Sequence, residues 1–217
     1  MLNIALDGPS GSGKSTIAKM LSKKLNILYL DTGAMYRACG LKALKSNISP
    51  KDYAAVDKFI RDIDLKIEFK NGAQVTVLDG EDVSEEIRRP EMSMAASDIS
   101  SLKNVRLKMV ELQRETAKST DCVLDGRDIG TFVLPNAKYK FYITADSTER
   151  AKRRHKELAA KGFDVELNKL HEEILQRDYN DSHREFAPLC KAKDAVEIDT
   201  TNLTAEQVLE KICSFII

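Results

Sequence analysis

The chain has 217 residues, which suits one domain with an insertion or one and a half domains, and its 42% hydrophobic and 31% charged residues allow a sizeable core and a solvated surface. Lys+Arg and Asp+Glu balance at 34 each, which removes the general electrostatic footprint of a nucleic-acid binder and leaves room only for a local basic site. No run approaches the ~18 apolar residues of a membrane span, and no signal peptide is expected ahead of the first strand. Cys39, Cys122, Cys190 and Cys213 lie far apart, as in a reduced cytoplasmic protein, and His155, His171 and His183 share no zinc spacing with them.

Leu2–Leu6 reads as a short buried strand. It runs into Gly8-Pro9-Ser10-Gly11-Ser12-Gly13-Lys14-Ser15-Thr16, which matches G-x-x-x-x-G-K-[ST] without a gap. Glycines let the backbone turn its N–H groups inward around a phosphate, and a helix starting where the loop ends adds the positive end of its dipole. Ile17, Ala18, Leu21 and Leu25 recur at helical spacing behind the loop, so the strand–loop–helix context the motif requires is present. The stretch predicts binding of ATP or GTP, with Lys14 reaching the β- and γ-phosphates and the Ser15 hydroxyl ligating Mg²⁺.

Ile27–Leu30 is a second buried strand. It ends at Asp31-Thr32-Gly33, where a helix begins with Met35, Ala38, Leu41 and Leu44 as its apolar face. Tyr36 and Arg37 fall in the first turn of that helix, at a strand's carboxyl end, where ligands of α/β sheets collect. Spacing alone leaves a plain N-cap with a surface arginine equally open. Ser49-Pro50-Lys51-Asp52 predicts a helix start with Ser49 as cap and an end near Asp64. Leu65–Phe69 then alternates, Asn71-Gly72 marks a turn and Val75–Leu78 resumes, which predicts a β-hairpin in an inserted segment of about residues 62–90. Asp79-Gly80-Glu81-Asp82 reads as a solvated turn rather than a metal site. Helical segments follow to Lys118, with Val105, Met109 and Leu112 on one face. By spacing, Arg106 and Arg114 read as ordinary surface arginines.

Asp121–Asp125 is the next strand, and an apolar run ending in Asp resembles a Walker B strand, with Asp125 placed to hold Mg²⁺ through water. Gly126-Arg127-Asp128 sets a charged pair at its carboxyl end, and residues 139–143 form a fourth parallel strand. Asp146–Glu149 caps a helix on which Arg150, Arg153 and Arg154 share one face. Such a run is ordinarily a solvated face, but arginine forks suit phosphate oxygens, and beside a triphosphate loop a phosphate clamp is the stronger reading. Gly162 breaks this helix. A second runs from Val165 to Tyr179 and carries Leu167, Leu170, Ile174 and Arg177, so the two form a mobile hairpin with Asp181 and Arg184 at its exit. Ala195–Asp199 is the last strand, and Thr204–Gln207 caps the final helix.

The predicted architecture is α/β: a five-stranded parallel sheet flanked by helices, in a single P-loop kinase domain. Its core would be residues 1–61, 91–148 and 185–217, with the insert at 62–90 and a helical lid at 149–184. The guanine-reading N-K-x-D of GTPase switches is missing, since Asn168-Lys169-Leu170-His171 lacks the Asp. These motifs together resemble the bacterial cytidylate kinase family of nucleoside monophosphate kinases. The likeness rests on Gly8–Thr16, Asp31–Arg37, Gly80–Ser84 with Ile87-Arg88, Asp125–Thr131, Arg177-Asp178 leading to Asp181–Arg184, and Ala187-Pro188-Leu189.

The resemblance implies Mg²⁺-dependent transfer of the γ-phosphoryl group of ATP to CMP or dCMP. It also implies roles. Gly8–Thr16 would bind ATP, with Arg150, Arg153 and Arg154 in the lid above it. Arg37, Arg127 and Arg184 would hold the acceptor's phosphate. Ser97, Arg106 and Asp128 would read the cytosine edge. Tyr36 and Asp181 would contact the sugar, with Thr32 and Arg177 nearby. Lys14, Arg127, Arg153 and Arg184 are the expected catalytic cations. The implied partners are free nucleotides only, with neither nucleic acid nor membrane, and the protein would act as a monomer. The rival readings are a kinase of UMP, AMP or shikimate and, in another class, a non-catalytic nucleotide switch or RNA-binding module.

Overall fold

The structure is a computed structural model that describes residues 1–70 and 73–216. Five parallel strands form the central sheet: β1 (Asn3–Asp7), β2 (Leu28–Asp31), β6 (Cys122–Gly126), β7 (Tyr139–Thr144) and β8 (Val196–Asp199), in the order β2-β6-β1-β7-β8. Their apolar runs are continuous because both faces are covered: Ile4, Ala5, Leu6, Val123, Leu124, Phe141, Ile143 and Ile198 are all buried. One face packs under helices α1 (Lys14–Leu25) and α8 (Ala205–Ile216) through Ile17, Leu21, Val208 and Ile212. The other packs under α2 (Thr32–Lys45), α4 (Met92–Ile99) and α5 (Lys103–Ser119) through Met35, Ala38, Ile99, Val105 and Met109.

Side-chain caps fix four of the helix starts. Asp31 caps α2 by accepting from Ala34 N at 2.9 Å. Asp146 accepts from Thr148 N and Glu149 N at the start of α6 (Ser147–Ala160). Thr204 and Gln207 cap α8 reciprocally, each side chain bonding the other's backbone N–H. Helix α3 (Tyr53–Ile60) differs from expectation: Asp52, not Ser49, is its cap, with the carboxylate accepting from Ala55 N at 3.0 Å. Ser49 instead closes the preceding turn, its carbonyl accepting from Asp52 N. Leu44 also leaves the expected apolar face of α2 and is exposed. Nine residues of helix rotate the chain by about 180° from Met35 to Leu44, so steps of three drift off the buried stripe.

The inserted hairpin is present as β3 (Leu65–Lys70) against β4 (Ala73–Leu78), antiparallel. The expected Asn71-Gly72 turn lies outside the described residues. A short third strand, β5 (Glu81–Asp82), extends the hairpin after a turn in which Asp79 and Gly80 take positive φ. Gln74 ties the insert to the sheet: its Oε1 accepts from Asp31 N at 2.8 Å and its Nε2 donates to Asp31 O at 3.3 Å, as a neighbouring strand would. Helix α6 and α7 (Leu167–His183) pack as a hairpin through Leu158, Leu170 and Ile174, with Gly162 at φ 81° in the turn. Helix α7 runs further than expected, so Asp181 sits inside its last turn and Arg184 follows directly. Among the described residues no helix is long and apolar enough to cross a membrane, and all four cysteines are free thiols.

Candidate active site

The loops leaving β1, β2 and β6 meet at one end of the sheet. Parallel pairing in register, Leu6 and Asp31 both beside Asp125, brings the three carboxyl ends level. Around them lies a cavity of about 610 Å³.

The Gly8–Thr16 loop forms one wall. Gly8 has φ 143°, and a Cβ there would lie 2.0 Å from Ile143 O, so only glycine lets the loop start against β7. Gly13 has φ 94° with open space where a Cβ would sit, and it leads straight into α1. Lys14 lies folded over the loop, its Nζ donating to Pro9 O at 2.6 Å. Burial and the neighbouring Arg127 guanidinium hold its ammonium well below the ordinary lysine range, against the pull of Asp125. Ser15 Oγ donates to Asp125 Oδ2 at 2.6 Å, and the Tyr29 phenol donates to Asp125 Oδ1 at 3.1 Å. Burial, then Asp31 close by, push the Asp125 carboxyl above the usual range. A hydroxyl and a carboxylate whose charge lacks a full counter-charge are hard oxygen donors that fit Mg²⁺. Among the described residues no three His, Cys, Asp or Glu side chains converge as a complete cage, so such an ion would need further oxygens from phosphate and water.

The opposite wall is a buried charge network. Arg106, read by spacing as a surface residue, is only 1% exposed, because Asp128 and the Tyr36 ring receive its guanidinium. Its Nη1 donates to Ser100 O at 3.2 Å. Arg114 does lie at the surface, bonding Val133 O and Phe132 O. Arg184 pairs with Asp128 at 3.4 Å and donates from Nε to Ala187 O. Arg127 Nε donates to Asp181 Oδ2 at 2.8 Å, with Arg177 and Arg184 each 3.9 Å from that carboxylate. Burial raises the Asp181 carboxyl, but Arg127, Arg177 and Arg184 outweigh it and hold the group below the usual range. Burial and Arg127 push Arg177 down to about 10. Thr32 Oγ1 donates to Asp125 O, and Arg37 pairs with Asp31 at 2.9 Å.

Twelve Lys and Arg side chains line the cavity against five Asp and Glu, so it suits a polyanion. Tyr36 Oη, Arg37 Nε, Arg106 Nε, Arg177 Nε, Arg184 Nη2 and both amide atoms of Gln113 are buried on this wall without hydrogen-bond partners. Buried orphans of this kind cost about 1–3 kcal/mol each, and a polar ligand would satisfy them.

Not every anticipated residue reaches the cavity. Arg150 lies beneath the loop, its guanidinium engaged by Ala145 O, Ser10 O and Asp178. Arg153 and Arg154 do line the cavity, bonded to Thr200 and Glu157 respectively. The shared helical face thus divides, with one arginine propping the loop. Ser97 is buried with an unpaired Oγ but sits one residue behind the lining Ala96. Sequence reasoning missed Gln113, Arg88 and Arg89, which also line the site. Gln113 lies two turns beyond Arg106 on the face marked by Val105 and Met109, so a polar residue on an apolar stripe was the available signal.

A family model described as Cytidylate kinase matches residues 4–217. A cytidylate kinase of Caldicellulosiruptor bescii is 53% identical over 97% of this chain and 93% of its own length. One of Clostridioides difficile is 50% identical over 98% of this chain and 97% of its own length. In fold, the chain is similar to shikimate kinase from Bacteroides thetaiotaomicron, with TM-score 0.50 and 11% identity over 99% of this chain and 98% of that one. With residues 4–217 matched by the family model and cytidylate kinases 50–53% identical over nearly the whole chain, the chain belongs to the cytidylate kinase family.

Proposed function

We propose that the protein transfers the γ-phosphoryl group of ATP to CMP or dCMP, giving ADP and CDP or dCDP. The observation that carries this is the cation-rich cavity, whose far wall holds buried polar atoms on Tyr36, Arg106 and Gln113 without hydrogen-bond partners.

The ATP phosphates lie in the Gly8–Thr16 loop, with Lys14 on the β- and γ-phosphates and Arg153 and Arg154 above them. Ser15 and Asp125 hold Mg²⁺, which when bound neutralises charge on the donor phosphates. Arg37, Arg127 and Arg184 hold the acceptor's phosphate, and Tyr36, Asp181, Thr32 and Arg177 surround the sugar. Arg106 and Asp128 read the base, backed by Ser97 behind the lining Ala96. Cytosine presents an amino donor beside two acceptors, so a carboxylate paired with a guanidinium complements it. Uracil would turn a carbonyl toward the carboxylate and leave buried groups unpaired.

The attacking group is an already ionised phosphate oxygen, so no general base is required. The barrier is the repulsion of two polyanions, and the residues act by in-line positioning and by positive charge around the transferring group. The α6–α7 hairpin, as a lid of residues 149–184, closes over ATP and excludes water, which would otherwise accept the phosphoryl group. The insert at 62–90 closes on the acceptor side of the core. All reactants are free nucleotides, in keeping with a cytoplasmic monomer.

An ADP-release assay with CMP, dCMP, UMP, AMP and shikimate as acceptors tests the reading. CMP or dCMP is expected to lead the panel; UMP, AMP or shikimate well ahead of both would overturn it, as would ATP binding without transfer.

A further inference from the structure

Asp7 is the last residue of β1, is 4% exposed, and has no counterpart in any role assigned above. Its carboxylate accepts two backbone hydrogen bonds from across the sheet end: Ile129 N donates to Oδ1 and Gly130 N to Oδ2, both at 2.7 Å. Those two residues open the π-helical turn Ile129–Val133, whose later N–H groups bond back to Asp128 O and whose exit bonds to Ile129 O. The opening pair has no partner inside the turn, and Asp7 caps it from 122 and 123 positions away. Gly130 packs against the cap: a Cβ there would lie 3.3 Å from Asp7 Oδ2 and 3.1 Å from Lys140 Cδ.

Two walls of the site are joined through this one side chain. Gly8, the next residue, starts the phosphate loop. Arg127 and Asp128, the two residues before the capped turn, point into the charge network. Asp7 itself is fixed, since β1 pairs on one side with β6 and on the other with β7. Burial outweighs the two amide bonds that pull the other way and leaves its carboxyl raised to about 6, so an ionised group is kept here at a cost. Lys14 favours its charge and Asp128 opposes it.

We infer that Asp7 is a positioning residue: by capping Ile129 and Gly130 it sets the aim of Arg127 and Asp128 relative to the phosphate loop, and so governs acceptor binding and selectivity rather than ATP binding. This rests on the function proposed above.

The test is Asp7→Asn in the full chain. The amide keeps one acceptor oxygen and turns an NH₂ toward the other N–H, a donor against a donor. Loss of one charge-assisted bond predicts a KM for CMP raised by about tenfold or more, a narrower CMP-over-UMP ratio, and ATP affinity in the absence of acceptor within about twofold of wild type. Backbone hydrogen exchange is expected to show lost protection at Ile129 and Gly130 with β1 unchanged. A folded variant with wild-type CMP kinetics and selectivity, or equal losses for ATP and CMP, would overturn the inference. If Asp7→Asn does not fold, Gly130→Ala decides: it crowds the same carboxylate, and unchanged acceptor kinetics there would be fatal to the idea. A wild-type enzyme that leaves CMP untouched would sink the proposed function instead, while the exchange experiment would still report on the cap.

Discussion

Ser15 Oγ and Asp125 Oδ2 stand 2.6 Å apart although 110 positions separate them in the chain. Parallel pairing of β1 with β6 brings them together: Leu6 aligns with Asp125, and the loop then carries Ser15 back over the strand end. Asp125→Asn keeps this hydrogen bond and removes the charge. The Mg²⁺ concentration needed for half-maximal velocity should rise at least about tenfold, with the melting temperature held or raised because a buried, uncompensated charge is gone. An unchanged Mg²⁺ titration would refute the assignment.

Lys14 is the second buried charge held at a cost. Its ammonium rests on Pro9 O, and its burial favours the neutral form. Lys14→Ala should lower kcat by at least about 100-fold, the scale of losing one preorganised charge at a reacting centre. Thermal melting by circular dichroism should show the fold intact.

Asp128 carries two loads, the base contact and the counter-charge for Arg106 and Arg184. Asp128→Ala should weaken the preference for CMP over UMP more than it weakens ATP affinity. It should also destabilise the protein by about 3 kcal/mol or more, because it strands buried guanidinium groups. An acceptor panel and a denaturant titration measure the two effects separately, and an unchanged panel would mean that the base lies elsewhere.

Acid stability follows from Asp181. Its folded-state value lies below the ordinary 3.8, so its ion pairs stabilise the protein fully above that value. That contribution is lost as the pH falls from about 4 through the lower folded value. Denaturant unfolding at a series of pH values should show stability dropping in this window, and a shallower drop in Asp181→Asn. Asp7 has the opposite sign: raised to about 6, it contributes less as pH climbs from about 4 to 6.

Much of this was legible in the residues because the signals were local. Gly8–Thr16 between an apolar strand and a periodic helix named the loop, and Asp146 and the Thr204–Gln207 pair announced their helices by chemistry within one turn. Where two local signals competed, the one adjoining the helix won: Ser49 had the spacing with Pro50, but Asp52 had the extended backbone that lets a carboxylate reach Ala55 N.

Sequence by itself determined the elements, the phosphate loop and the family likeness, since each depends on neighbours a few positions apart. Only the tertiary structure decided which charges meet. Arg106 reads as a surface residue until Asp128 arrives beside it, Arg150 reads as part of a clamp until Ser10 and Asp178 claim it, and Asp7 gave no sign of its place. Burial and pairing of charge are set by strand register across more than a hundred residues, and no local pattern carries that information.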